Sequence, residues 1–451
     1  MVPPADRPDD LPNERRTAVP RRQVARTARL ATLPIGIAGR ATVGLGRRLG
    51  GRPEDEITAE LQRRTAEQLF AVLGQLKGGA MKFGQALSVF EAALPEHLTI
   101  PYREALTKLQ ESAPPLPISA VRRVLTEQFG SRWVERFADF DEEPAAAASI
   151  GQVHRATWHD GRDVAVKVQY PGAGPALIGD LNQLSRFARV FAVLAPGLDI
   201  KPLLAELRER VGEELDYTLE ADAQRTFARE FAGDAEIAVP RVVASAPRVL
   251  ISEWLPGRPL SSIIASGSQA ERNQAGGLLT LLHFSAPPRC GLLHADPHPG
   301  NFRILADGRL GVLDFGAVAR LAPETPPMIG RLARLALAGD AQLLLDGLRA
   351  EGFILRGRDI DPQGLLDYLA PVLDPLRTET FRFTRSWMRS AAAKMGDPRS
   401  EEARLARQIN LPPAYLLVHR VTLGSIGVLC QLDAEARYRE IVERWQPGFA
   451  G

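Results

Sequence analysis

Residues 294–301 read His-Ala-Asp-Pro-His-Pro-Gly-Asn, and thirteen residues later comes Asp314-Phe315-Gly316. Between them, residues 302–305 and 310–313 have the look of two short strands, joined by a turn at Asp307-Gly308, a pair suited to a tight hairpin. Such a hairpin carries Asn301 and Asp314 to the same end, within reach of one metal ion. The spacing then makes chemical sense for phosphoryl transfer. The carboxylate of Asp296 would stand where an acceptor hydroxyl loses its proton, while the Asn301 amide and the Asp314 carboxylate would hold Mg²⁺ against nucleotide phosphates. Asp, Asn, Pro and Gly also favour plain turns, but the Asp-Phe-Gly that follows argues against that simpler reading. His294 and His298 do not read as a metal pair: Pro297 breaks the helix between them, and no Cys or third His lies nearby. His294 is expected to brace the loop instead.

The upstream half supplies what this floor needs. Residues 163–170 (DVAVKVQY) alternate as a half-buried strand and set Lys167 in Val-Ala-Val-Lys, the pattern of a lysine that reaches the α- and β-phosphates in protein kinases. Six lysines stand among fifty-six basic residues, so Lys at 167 points to a need for a compact ammonium rather than a planar guanidinium. A carboxylate must hold it. Residues 203–231 are helical in pattern and dense in Glu (206, 209, 213, 214 and 220). Chain position favours Glu220, while spacing alone does not choose between it, Glu213 and Glu214. Just before the lysine strand, where a glycine-rich phosphate loop would lie, stands Pro144-Ala145-Ala146-Ala147-Ala148-Ser149-Ile150-Gly151-Gln152-Val153. Glycine lets backbone amides close on phosphates because it lacks Cβ. An alanine run gives up that freedom, so this loop is expected to hold nucleotide differently.

Taken together, these segments resemble the UbiB/AarF family of atypical, protein-kinase-like proteins, whose eukaryotic relatives act in coenzyme Q biosynthesis. Four signatures carry the resemblance: the alanine-rich stretch 145–148 running into Ser149-Ile150-Gly151-Gln152, Lys82-Phe83-Gly84-Gln85, Glu214-Leu215-Asp216, and the catalytic loop with its Asp-Phe-Gly. It covers about residues 60–430. The resemblance implies that Lys167 binds the α/β-phosphates and pairs with Glu220, that Asp296 takes the catalytic-base position, and that Asn301 and Asp314 ligate Mg²⁺. It also implies that Lys82, Gly84 and Gln85 lie over the active site and meet Glu214 and Asp216, on an extension that excludes peptide substrates. Nucleotide contacts are expected from Ala145, Ala146, Ala147, Ala148, Ser149, Gly151 and Val153, and from the hinge around Glu253 and Leu255.

The expected fold is α+β: a bilobal protein-kinase-like body with a helical N-terminal extension. Residues 1–50 form a basic arm, 51–115 the extension, 116–255 the small lobe and 256–451 the large lobe. Residues 116–140 and 323–354 read as helical. The arm holds ten Arg and four acids, the acids all before residue 15. Residues 30–50 are apolar but interrupted by Arg40, Arg47, Arg48 and Pro34, too short and charged to span a bilayer. They read as lying on an anionic membrane surface, the alternative being packing against the core. Residues 415–430 fall short of a span and read as a buried helix. Cys290 and Cys430 cannot build a disulfide framework and read as buried, reduced thiols, which suits a cytoplasmic protein, peripheral at the inner face of the membrane. No nucleic-acid recognition motif accompanies the basic charge.

The function expected is that of an atypical kinase or ATPase using Mg²⁺ and ATP or ADP, with a lipid or small-molecule acceptor. A nucleotide-sensing scaffold or lipid-binding chaperone is the alternative. A small-molecule kinase of the aminoglycoside or choline type shares the His-x-Asp-x₄-Asn pattern, but has no evident use for the alanine stretch or the Lys-x-Gly-Gln motif.

Overall fold

A computed structural model describes residues 116–148, 150–175, 178, 212, 215–355, 357–396 and 401–450. The arm, the extension with Lys82, Gly84 and Gln85, and also Ser149, Glu213 and Glu214 lie outside the described residues. In chain order the elements begin with α1 (Ile118–Phe129), β1 (Phe137–Ala148), β2 (Gly151–Trp158), β3 (Asp163–Gln169) and α2 (Tyr217–Glu230). There follow β4 (Ile237–Ala238), β5 (Val242–Ala246), β6 (Val249–Glu253), β7 (Arg258–Pro259), α3 (Leu260–Ser266), α4 (Gln269–Cys290) and β8 (Leu292–His294). Then come β9 (Phe302–Ile304), β10 (Leu310–Val312), β11 (Val318–Arg320), α5 (Thr325–Ala338), α6 (Ala341–Ala350) and α7 (Pro362–Arg377). The last are β12 (Phe381–Arg382), α8 (Arg385–Gly396), α9 (Glu401–Ala406), α10 (Pro413–Leu432), β13 (Glu435–Ala436) and α11 (Tyr438–Trp445).

The small lobe is a five-stranded antiparallel sheet in the order β1-β2-β3-β6-β5. The alternation in β3 decides which side faces which way. Val164, Val166 and Val168 are fully buried and pack with Val121, Val124 and Leu125 of α1 and with Trp133 and Trp158. Period-two geometry therefore turns Lys167 to the opposite face. Only part of 116–140 is helical: Gly130, with φ of +81°, closes α1, and a six-residue 3₁₀ turn leads into β1 at Phe137. Gln152 is buried and ties the sheet to the chain entering it, accepting the Leu116 N–H at 2.8 Å. Its amide donates to His154 Nε2 at 2.9 Å, and His154 Nδ1–H donates to the Asp141 carbonyl at 2.8 Å.

The alanine run corrects the sequence expectation. Ala145, Ala146, Ala147 and Ala148 belong to the strand β1, not to a loop, and Ala146, Ala147 and Ala148 pair with Val153, Gln152 and Gly151. Alanine has little intrinsic strand preference, so the ladder offered by β2 overrides it. The helical stretch expected over 203–231 is interrupted at Leu215 and Asp216; of residues 203–214 only Gly212 is among the described residues, and it is helical. As described, α2 starts at Tyr217, with Asp216 in extended conformation and its carboxylate accepting the Thr218 N–H at 2.9 Å as the N-cap.

The large lobe is built around α4, which opens on a Ser268/Glu271 capping box and ends at Gly291 in the left-handed conformation. Leu278, Leu279, Leu281 and Leu282 share one core with Leu310 and Val312 of β10 and Leu429 and Leu432 of α10. The expected hairpin is present: β9 and β10 pair antiparallel, with Gly308 at φ +88° in the turn. The helical stretch 323–354 divides into α5 and α6 at Gly339, and Cys290 is only half-buried where full burial was expected. The segment 415–430 lies within a twenty-residue helix that is long and apolar enough to cross a membrane by length and composition, contrary to the shorter reading. Its buried residues, Val428, Leu429 and Cys430 among them, join the large-lobe core.

Candidate active site

Glu220 is placed by a stripe. Tyr217, Glu220, Ala221, Gln224 and Phe227, five of the six buried residues of α2, form a stripe at spacings of three and four, so the Glu220 carboxylate enters an apolar face and needs a partner. It has one. Lys167 Nζ donates to Glu220 Oε1 at 2.7 Å and Oε2 at 2.9 Å, and to Asp314 Oδ2 at 2.9 Å. The ammonium also lies 5.1 Å from the centre of the Tyr217 ring. Burial alone would push the Lys167 ammonium down, but Asp314 and Glu220 outweigh it and hold its pKa well above the ordinary lysine value. Burial lifts the Glu220 carboxyl above its usual range despite Lys167, with Asp314 adding to the lift.

Asp314 is aimed by its own backbone. The Gly316 N–H donates to Asp314 Oδ1 at 2.9 Å, and the Asp314 carbonyl accepts from His294 Nε2 at 2.8 Å, which places the proton on that nitrogen. His294 thus braces the loop from below, as its sequence position suggested. Phe315 is buried against Phe227 of α2, with ring centres 5.1 Å apart, so the Asp-Phe-Gly segment is keyed to the helix that carries Glu220.

The catalytic loop is equally connected. Asn301 Nδ2 donates to Asp296 Oδ2 at 2.9 Å, and the His298 N–H donates to Asp296 Oδ1 at 3.1 Å. The Leu313 N–H bonds the Asn301 carbonyl at 2.9 Å, fixing the approach of the loop to Asp314. Since the Asn301 amide nitrogen is turned to Asp296, its Oδ1 is the atom left to face a cation. One carboxylate and one amide oxygen form a hard-oxygen set of the kind Mg²⁺ takes alongside phosphate oxygens, so these residues fit the ion. Among the described residues no group of three or more His, Cys, Asp or Glu could hold a metal by itself.

The remaining expected residues divide. Ala146, Val153 and Lys167 lie side by side in register across β1, β2 and β3 on the cleft side of the sheet. Gly151 sits where an added Cβ would come 2.3 Å from the Val168 carbonyl oxygen, so only glycine fits. Glu253 turns away from a hinge role for its side chain: its carboxylate accepts the Arg241 N–H at 3.1 Å and lies 3.6 Å from Arg162. Leu255 packs near Gly311, beneath the hinge. The sequence places Trp254 at the hinge without a role for its ring, which has Arg155 and Arg303 guanidinium carbons each 5.6 Å from its centre. Sequence reasoning missed Tyr217, and the contact of α10 with the catalytic loop, where Gly424 meets Pro297. The inward stripe of α2 was the signal available for Tyr217.

Residues 108–345 match the sequence family described as the ABC1 atypical kinase-like domain. The chain is 30% identical over 362 residues to the mitochondrial atypical kinase coq-8 of Caenorhabditis elegans, covering 76% of this chain and 47% of that protein. It is 30% identical over 395 residues to the chloroplastic protein Activity of BC1 complex kinase 1 of Arabidopsis thaliana, covering 83% of this chain and 54% of that protein. It thus spans about half the length of these curated relatives. Among solved structures, the complex of Rv3197 with erythromycin from Mycobacterium tuberculosis is 47% identical with a TM-score of 0.68, covering 88% of this chain and 100% of that one.

Proposed function

Because the chain belongs to the ABC1 atypical kinase-like family, we propose that it binds MgATP or MgADP and hydrolyses ATP, or passes its phosphate to a lipid or small-molecule acceptor, in support of isoprenoid-quinone or other lipid metabolism. The observation that carries this reading is the single ammonium of Lys167 shared by Glu220 and Asp314, with Asp296 held by Asn301 on the adjoining loop. In this reading Lys167 meets the α/β-phosphates and stays charged, because its two carboxylates hold its pKa up. Asp296, already fixed by two hydrogen bonds, orients the acceptor hydroxyl or water and takes its proton. Asn301 and Asp314 would hold Mg²⁺, which when bound neutralises charge on the phosphates. The basic and apolar stretch 30–50 suggests a place at a membrane surface and the two cysteines suit the cytoplasm, whereas the named relatives are mitochondrial or chloroplastic.

A second reading, a nucleotide-sensing scaffold or lipid-binding chaperone with incidental turnover, draws support from the Mycobacterium tuberculosis protein, whose structure is a complex with erythromycin. Phosphate release from MgATP, with and without anionic liposomes, separates the two when wild type is compared with Asp314→Asn. Turnover that rises with liposomes and disappears in the variant is expected. Nucleotide binding with no turnover in any condition would favour the scaffold.

A further inference from the structure

The hydroxyl of Tyr217 is buried and makes no hydrogen bond among the described residues. A desolvated hydroxyl without a partner is destabilising, and phenylalanine would fill the same space without it, so packing does not account for the oxygen. Its position does. The Tyr217 ring lies under Lys167 Nζ, 5.1 Å from ring centre to nitrogen. The hydroxyl itself is 3.0 Å from the point a Cβ on Gly151 would occupy, beneath the first residue of β2. Gly151 pairs with Gln169 and Val153 pairs with Lys167, so strand alternation turns Gly151 and Lys167 to the same side of the sheet. The oxygen therefore stands between the ammonium and the underside of the β1–β2 hairpin tip. In a protein kinase that space is lined by the backbone amides of a glycine loop. Here the alanine run is drawn into the β1–β2 ladder, with Ala148 paired to Gly151 and Ala147 to Gln152.

We propose that the Tyr217 hydroxyl donates a hydrogen bond to a phosphate oxygen of the bound nucleotide, replacing an amide that a glycine loop would supply. The proposal rests on the nucleotide-binding reading and adds a binding residue to it. Burial, opposed by Lys167 and reinforced by Glu220 and Asp314, lifts the phenol well above its ordinary pKa, so the group remains a donor. The oxygen is closed off by its neighbours in this structure, so the contact requires the bound phosphate to displace them.

Calorimetric titration of the full chain with MgATP and with adenosine, in wild type and Tyr217→Phe, tests this. MgATP is expected to bind the variant about tenfold more weakly or worse, the loss typical of a hydrogen bond to a charged group, while adenosine binds unchanged. The melting temperature without nucleotide should hold or rise, since the substitution removes an unpartnered polar atom. Equal MgATP affinity in the two proteins overturns the proposal, as does a parallel loss for adenosine with a lowered melting temperature, which marks a structural prop. A wild type that binds neither MgATP nor adenosine overturns the nucleotide reading itself, and this contact with it.

Discussion

Lys167 is half-buried and yet charged, and the reason is numerical: one ammonium faces two carboxylates, each within 3 Å. Removing the ammonium would leave the deeply buried Glu220 carboxylate uncompensated, a loss of about 3–5 kcal/mol for a buried pair, while the partly exposed Asp314 is screened by solvent and contributes less. His283 on α4 shows the opposite electrostatics. Burial first, and then His294, push its pKa down to about 4, and the Thr422 hydroxyl lies 3.3 Å from its Nε2. As pH falls through 6.5 the unfolded chain takes up a proton that the folded chain refuses until about pH 4, so stability drains away across that window. His154 and His419 are also lowered, chiefly by burial, and work in the same direction. We predict that His283→Gln flattens the fall of melting temperature between pH 6.5 and about 4; an unchanged slope would refute this. Much of the site was legible at this scale. Lys167, Asp296, Asn301 and Asp314 stand in a spacing that only a hairpin and a strand can bring together. Glu220 was harder to separate from Glu213 and Glu214, since charge density along a helix does not reveal its inward face. The unpartnered Tyr217 hydroxyl could not be read at all, because hydrogen-bond satisfaction belongs to the folded chain.

At the scale of elements, the β1–β2 hairpin and α10 depart most from their sequence readings, and for related reasons. Alanine fits helix, loop or strand, so β2 decided the conformation of 145–148 from outside. The small residues of α10 let it approach another element closely. A Cβ added at Gly424 would lie 3.0 Å from Pro297 Cγ, so the helix touches the catalytic loop one residue after Asp296. No local pattern announces such a contact. Gly424→Leu should therefore overpack that junction, costing about 1–3 kcal/mol and slowing ATP turnover. Gly427→Leu is the matched control, because nothing lies within 4 Å of the added Cβ there. Similar denaturation midpoints and similar turnover in the two variants would show that the contact does not matter.

For the whole molecule, the question is whether α10 belongs to the core or to a lipid bilayer. It has the length and composition for a membrane, but Val428, Leu429, Cys430 and Leu432 are interleaved with α4 and β10. Leu429→Ala is expected to cost about 2–5 kcal/mol, as a cavity in a packed core does. Leu423, 51% exposed on the same helix, should tolerate Leu423→Glu within about 0.5 kcal/mol. Chemical denaturation of the two variants checks both; a neutral Leu429→Ala would remove α10 from the core.

The triad at Lys167 has a further consequence, in time rather than in energy. Lys167 meets Glu220 across 53 residues of chain and Asp314 across 147. Contacts that close such long loops form late, because the entropy of closure is lost before the contact repays it. The sheet of the small lobe and the helices of the large one can each gather from nearer neighbours. The nascent chain therefore acquires its secondary structure well before its capacity to hold a ligand, and a chain halted between those two moments would look folded while remaining unable to bind.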